Sequence, residues 1–216
     1  MAAARDATLA AARLAAADPA GLGGIWLRCP YGPRVDAILA ALSARLPAGG
    51  RMRKLPLSVD GERLSGGLDL AATLAAGRPV RRGGLIAEAA GGLLVIPSAE
   101  RLSESLAGRI AQALDRSGDF GLVLLDEGVG DEMAPAALAE RVAFHIGPEA
   151  HEANRVKRGE PVAEERAVAA LAATAAALGI GSSRAPLFAL KAARASARLA
   201  RRKLREGDLA LATGLV

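Results

Sequence analysis

The chain has 216 residues, 51% hydrophobic and 24% charged, which is enough apolar material to bury a core and excludes disorder as the default state. Only 2% are aromatic (Trp26, Tyr31, Phe120, Phe144 and Phe188), so stacking platforms for bases are excluded as well. The formal charge is +5 at pH 7, mildly basic and short of the excess a nucleic-acid binder carries.

The lone Cys29 excludes an internal disulfide framework and a multi-cysteine zinc site, and His145 and His151 alone make no metal centre. Arg5, Asp6, Arg13 and Asp18 interrupt the Ala-rich start before a secretory core can form. No run reaches the roughly 18 apolar residues that span a bilayer. The expectation is a soluble, cytoplasmic protein in a reducing compartment.

In chain order, Gly24–Cys29 (GIWLRC) predicts a first strand. Arg34–Leu46 predicts a helix with Val35, Ile38, Leu39, Leu42 and Leu46 on one side. Lys54–Leu57 is a weaker strand, and Leu93–Ile96 (LLVI) a strong one between Gly91-Gly92 and Pro97. Arg101–Arg116 predicts an amphipathic helix, followed by strands at Phe120–Leu125 and Val142–Ile146. Continuous apolar runs bounded by Gly and Pro indicate a parallel sheet of about five strands, buried on both faces by helices. Glu149–Glu160 is polar and reads as a linker. From Pro161 no strand appears. Pro161 can open a helix over Val162–Leu178, which Gly179 ends. Ser182 or Ser183 can cap another, with Pro186 in its first turn, running to about Arg205, and Gly207-Asp208 caps a short last one. The expected division is an α/β core over 1–150 and a separate all-helical lid over 151–216.

Such a plan puts a phosphate-binding loop at the first strand-to-helix turn. Here that turn reads Cys29-Pro30-Tyr31-Gly32-Pro33-Arg34. A Walker A loop needs Lys for the β/γ-phosphates and a Ser or Thr hydroxyl on Mg²⁺. Gly32 stands as the last glycine, Pro33 occupies the lysine's place and Arg34 the hydroxyl's. Proline also removes a backbone donor. After Leu93–Ile96, where a hydrolytic site puts Asp and Glu, stand Pro97 and Ser98. Neither supplies a carboxylate, so hydrolysis by this chain's own site is not expected.

The segments Arg63–Leu70 (RLSGGLDL), Ala75–Pro79 (AAGRP), Gly84–Ala89 (GLIAEA) and Gly91–Ile96 (GGLLVI), in this order and spacing, resemble the AAA+ module of magnesium chelatase. The degenerate loops are similar to those of the family's D subunit, the ATPase-like partner of the ATPase I subunit. The resemblance covers nearly all of residues 20–214 and implies an AAA+ three-layer core with a helical lid. It also implies a non-hydrolytic subunit that assembles with the I subunit in a ring and supports ATP-driven insertion of Mg²⁺ into protoporphyrin IX, with the porphyrin held by the H subunit. The family continues into an acidic, Pro-rich linker and an integrin-I-like domain, to which nothing here corresponds; an excised N-terminal module is expected.

The resemblance assigns roles to two arginines. Arg141, in Glu140-Arg141-Val142, is similar to the family's arginine before the fifth strand, which would act as a finger in trans on ATP/Mg²⁺ held by a neighbouring subunit. The plainer reading is a helix C-cap or an ion pair with Glu140. Arg184 resembles a sensor-2 arginine that would join Gly32 and Arg34 at a degenerate nucleotide site, or else brace the lid against the core. Asp126-Glu127 and Asp131-Glu132 read as a solvated acidic loop, His145 as a packed side chain, and Cys29 as a small core residue. Lys191, Arg194, Arg198, Arg201, Arg202, Lys203 and Arg205 read as a solvated helix side or a face for an acidic partner. No metal site, nucleic-acid partner or membrane contact is expected. Two alternatives stand beside this reading: a self-sufficient AAA+ ATPase with atypical loops, and a basic nucleic-acid-binding module.

Overall fold

The computed structural model describes residues 2–56, 58–147 and 159–216, with side chains from residue 7 onward. The expected 150/151 division, His151 and most of the Glu149–Glu160 linker lie outside the described residues, as does Leu57.

The first helix, α1 (Ala2–Ala17), is followed by the short α2 (Pro19–Leu22) and strand β1 (Gly24–Arg28). Next come α3 (Pro33–Ser43) and β2 (Met52–Lys54). An inserted segment holds α4 (Gly61–Ser65), β3 (Gly67–Leu68), α5 (Leu70–Ala76), β4 (Arg81–Arg82) and α6 (Leu85–Glu88). The chain then returns through β5 (Leu93–Ile96), a 3₁₀ turn at Ala99–Arg101, α7 (Glu104–Arg116), β6 (Gly121–Asp126), α8 (Ala136–Ala139) and β7 (Phe144–Ile146). Three helices follow: α9 (Glu164–Ala177), α10 (Arg184–Leu199) and α11 (Glu206–Thr213).

Strands β2-β5-β6-β1-β7 form one parallel sheet in that order, while β3 and β4 pair as a separate antiparallel hairpin. The expected continuous apolar strands appear: β5 and β6 are buried at every position. Successive side chains alternate between faces. Ile25, Leu27, Val95, Val123 and Leu125 join one apolar cluster with α1 and α3, whereas Leu94, Ile96, Leu122 and Leu124 join another with α7.

The C-terminal helices belong to the first of these clusters. Ala189, Ala192, Ala193 and Ala195 of α10 are buried in the same cluster as Ala11, Ala12 and Ala15 of α1, and α10 packs on both α1 and α2. Small side chains let these helices approach closely, so the C-terminal helices share a core with the sheet layer.

Several local expectations are corrected. The weak strand lies earlier, at Met52–Lys54, although Leu55 N–H still bonds Val95 O at 2.8 Å. Pro161 does not open α9: it forms an isolated antiparallel bridge with Arg205, and Ala163 caps the helix. Helix α10 stops at Leu199, not Arg205, because Arg201 adopts φ 51° and turns the chain. Arg205 then becomes the N-cap of α11, where Asp208 accepts from its backbone N–H at 3.0 Å. Among the described residues, no helix is long and apolar enough to cross a membrane.

Candidate functional site

The turn between β1 and α3 lies at the carboxyl ends of the parallel strands, where ligands bind in open α/β sheets. Gly32 caps α3 with extended backbone and Pro33 fills the first helical position. Asp36 stands in the first turn and accepts from the Tyr31 hydroxyl at 2.7 Å. A carboxylate there already complements the helix dipole and repels an incoming phosphate. Arg34 is exposed and reaches Thr8 Oγ1 at 3.4 Å. Burial pushes the Cys29 thiol up, against the opposing pull of Arg34, so the turn holds no activated thiolate. At the end of β5, Pro97 and Ser98 follow directly, Ser98 with φ 45°. These residues do not fit a triphosphate with its Mg²⁺: Pro33 stands where a lysine would meet the phosphates, and β5 is followed by Pro97-Ser98 in place of a carboxylate. Among the described residues, no group of three or more His, Cys, Asp or Glu is arranged to hold a metal.

Asp126, at the end of β6, is fully buried rather than part of a solvated loop. Its carboxylate accepts from Trp26 Nε1, Gly128 N and Ala134 N, each at 2.9 Å. It is therefore a structural anchor for the loop that follows. His145, expected to be packed, is exposed on the edge strand, set edge-on to Trp26 at 5.1 Å with Nε2 3.0 Å from Ala139 O.

Arg141 and Arg184 lie elsewhere. Asp115 ends α7, just before β6, and Arg141 precedes β7, so both sit at the amino ends of the strands. The Arg141 carbonyl packs against Gly23 just before β1: a Cβ at Gly23, which has φ 65°, would lie 1.9 Å from that oxygen. Asp115 accepts from Arg141 Nε at 3.1 Å and Nη2 at 2.6 Å. Arg141 Nη1 donates to Ala137 O and Glu140 Oε1, both at 2.6 Å. Arg184 Nη2 approaches the same Asp115 carboxylate at 4.0 Å. The Arg141 hydrogen bonds hold the Asp115 carboxyl below its usual range, and Asp115 in turn raises the Arg141 guanidinium.

The four sequence-predicted residues thus form two groups. Gly32 and Arg34 stand at one edge of the sheet. Arg141 and Arg184 stand at the other, about 15–20 Å away by strand length, joined through Asp115. Within one chain Arg184 does not share a pocket with Gly32 and Arg34; it ties a C-terminal helix to α7. Asp115 carried no sequence signal, being one of many charges on an exposed helix side, with its partner 26 residues away. An open cleft of about 1220 Å³ runs between α4 and α7, flanked by Asp60, Glu62, Arg109 and Gln112, and includes none of the four.

The basic run is largely committed internally. Arg194 pairs with Glu164, Arg198 with Asp18 at 2.8 Å, and Arg202 with the buried Asp208 at 2.5 Å. Arg205 donates to Gly159 O at 3.4 Å. The expected solvated helix side is kept in part, with the Arg194 and Arg198 side chains 42% and 63% exposed, while their carboxylate partners tie helices together.

This sheet order, with helices on both faces and helices after the last strand, defines an AAA+ fold. The chain superposes on a full-length MCM homologue from Methanopyrus kandleri with a TM-score of 0.64 at 14% identity, covering 95% of this chain and 52% of that one. An ATPase-like protein from Cytophaga hutchinsonii also gives 0.64, at 11% identity, covering 94% and 79%. No protein-family model matches the chain. Over 204 residues it is 41% identical to the magnesium-chelatase 60 kDa subunit of Cereibacter sphaeroides, covering 87% of this chain and 36% of the relative. The corresponding subunit of Rhodobacter capsulatus is 38% identical over 193 residues (82% and 34%), and the 67 kDa subunit of Chlorobaculum parvum 34% over 131 residues (61% and 20%). Over this stretch the chain is homologous to the magnesium-chelatase 60/67 kDa subunits. It spans about a third of the length of the 60 kDa relatives.

Proposed function

We propose that the chain is a non-hydrolytic AAA+ module of a magnesium chelatase. It assembles with an ATPase I subunit and supports ATP-dependent insertion of Mg²⁺, the substrate metal, into protoporphyrin IX on the way to (bacterio)chlorophyll. Porphyrin binding belongs to the H subunit, reached through the complex. The observation that carries this reading is the pairing of 41% identity to a chelatase subunit with a first turn that presents Pro33 and Asp36 where a triphosphate would need cations and free N–H groups. Such a module acts through its neighbours.

The Arg141–Asp115–Arg184 cluster is the part offered to a neighbour. A guanidinium has five N–H donors. Arg141 directs four of them at its own chain. To stabilise charge on a phosphoryl group held next door, it exchanges the Asp115 carboxylate for two oxygens of that group. This is a like-for-like swap of bidentate acceptors. Arg184, more exposed and only loosely tied, stands beside it. A division into a core over 1–150 and a lid over 151–216 fits this role, with Asp115 and Arg184 spanning the seam.

The test is co-purification with an I-type ATPase, with and without nucleotide, followed by turnover of the mixed assembly. Retention by the ATPase and no turnover by the chain alone are expected. Turnover by the purified chain alone would overturn the non-hydrolytic reading.

A further inference from the structure

Helix α5 is apolar apart from Thr73, yet none of its residues is buried. Leu70 is 68% exposed, Leu74 84%, and Leu68 beside it on β3 50%. Exposed Arg78, Arg81 and Arg82 flank these leucines and make no ion pair among the described residues. The segment is nonetheless well built. Asp69 caps α5 through Ala72 N–H at 2.9 Å, Thr73 Oγ1 accepts from Val80 N at 2.9 Å, and Asp69 N bonds Val80 O at 2.8 Å.

A surface of opposite sign lies on the loop 127–133 between β6 and α8. Val129 is 82% exposed and Met133 50%. Around them Glu127, Asp131 and Glu132 are exposed and make no ion pair among the described residues. The loop backbone is pinned from inside by Asp126, which accepts from Gly128 N and Ala134 N. Arg28 donates to Gly130 O at 2.6 Å and Glu132 O at 3.3 Å. Gly128 is packed so closely that a Cβ there would lie 2.2 Å from Glu132 O.

We propose that the α5 hairpin of one copy of this chain docks on the 127–133 loop of a second copy. Leu68, Leu70 and Leu74 cover Val129 and Met133, and Arg78, Arg81 and Arg82 face Glu127, Asp131 and Glu132. An apolar centre with a charged rim is the usual anatomy of an interface, and the matched signs fix its register and exclude like-with-like pairing. Both surfaces are ordered beforehand, so little conformational freedom is lost on contact. Because two different patches meet, the contact is head-to-tail and propagates into a ring or an open chain. The inference stands on these surfaces alone, not on the chelatase reading.

Sedimentation velocity of the full chain over a range of concentrations tests it. The wild-type chain self-associates reversibly, and association weakens at about 0.5 M salt, where the screening length is only a few ångströms. Leu74→Glu, the pair Arg81→Glu/Arg82→Glu and the pair Asp131→Arg/Glu132→Arg each weaken association by about tenfold or more, with unchanged thermal unfolding. Mixing the two charge-reversed pairs restores association, since each supplies the complement of the other. A wild-type chain that stays monomeric overturns the proposal, whether or not an unrelated acidic protein binds the hairpin instead. So do charge-reversed variants that associate as tightly as wild type.

Discussion

Asp115 and Arg141 meet edge to edge, Oδ1 on Nε at 3.1 Å and Oδ2 on Nη2 at 2.6 Å, and Arg184 approaches the same carboxylate from a C-terminal helix. One half-exposed acid thus holds two cations from separate parts of the chain. Arg141→Ala is expected to lower ATPase turnover of a mixed assembly with the I subunit by about tenfold or more, in the manner of a lost charge-stabilising donor. Assembly, read by co-sedimentation, stays intact. Unchanged turnover removes Arg141 from the chemistry and leaves it as a structural tie.

Asp115→Asn separates the two roles. It keeps the shape but removes the charge that competes for Arg141. Folding stability falls by about 0.5–1.5 kcal/mol, as for a partly exposed charged hydrogen bond. If Arg141 exchanges Asp115 for phosphate, the mixed assembly reaches half-maximal turnover at lower ATP. A shift to higher ATP, or no shift, would count against the exchange.

Asp208 supports the other end of the helical segment. It is fully buried, bound by Arg202 at 2.5 and 2.9 Å, by Ser196 Oγ at 2.7 Å and by Arg205 N–H. Asp208→Asn should cost about 2–3 kcal/mol, because a charged pair is broken and Arg202 keeps its charge. In a chain of this size that is roughly 5–10 °C in thermal midpoint.

Acid acts through the same groups. Burial pushes the Asp208 carboxyl up, but the hydrogen bonds from Arg202, Ser196 and Arg205 outweigh it and leave it below its ordinary value. Asp115 is lowered by Arg141. A depressed carboxylate contributes in full above its unfolded value of about 3.9, and the contribution disappears as pH falls through the lower folded value. Unfolding free energy should therefore fall below about pH 4, and Asp208→Asn should flatten that fall. Denaturant titrations across this range measure both.

Restoring the missing side chains at the first turn should not restore hydrolysis. Pro33→Lys with Arg34→Thr supplies a lysine and a hydroxyl, but Asp36 still faces the helix N-terminus and Pro97-Ser98 still follow β5. ATP turnover by this variant alone should stay at background. Clear turnover would show that the first turn was the whole defect.

The sheet was legible because its strands are unbroken apolar runs ended by Gly or Pro, as at Leu93–Ile96. The degenerate turn was legible because Pro33 stands where a cation is needed. Other features were not. Asp126 looked solvated because sequence cannot show that Trp26, a hundred residues away, sends its indole N–H to it. The basic run reads as a solvated face, and its internal pairing is invisible in sequence because the partners, Asp18 and Glu164 among them, lie far away along the chain. Helix α1 is faint in the sequence: five of its seven buried described positions are alanine, and alanine marks no apolar stripe as leucine does.

That alanine seam has a consequence for how the chain matures. The alanine side of α1 turned away from the sheet is closed only when α10, some 170 residues later, settles against it. A nascent chain still lacking α10 leaves part of that side open to water, where a folding helper or an aggregating neighbour can reach it. Loss of the last helices should therefore lower the yield of the entire molecule.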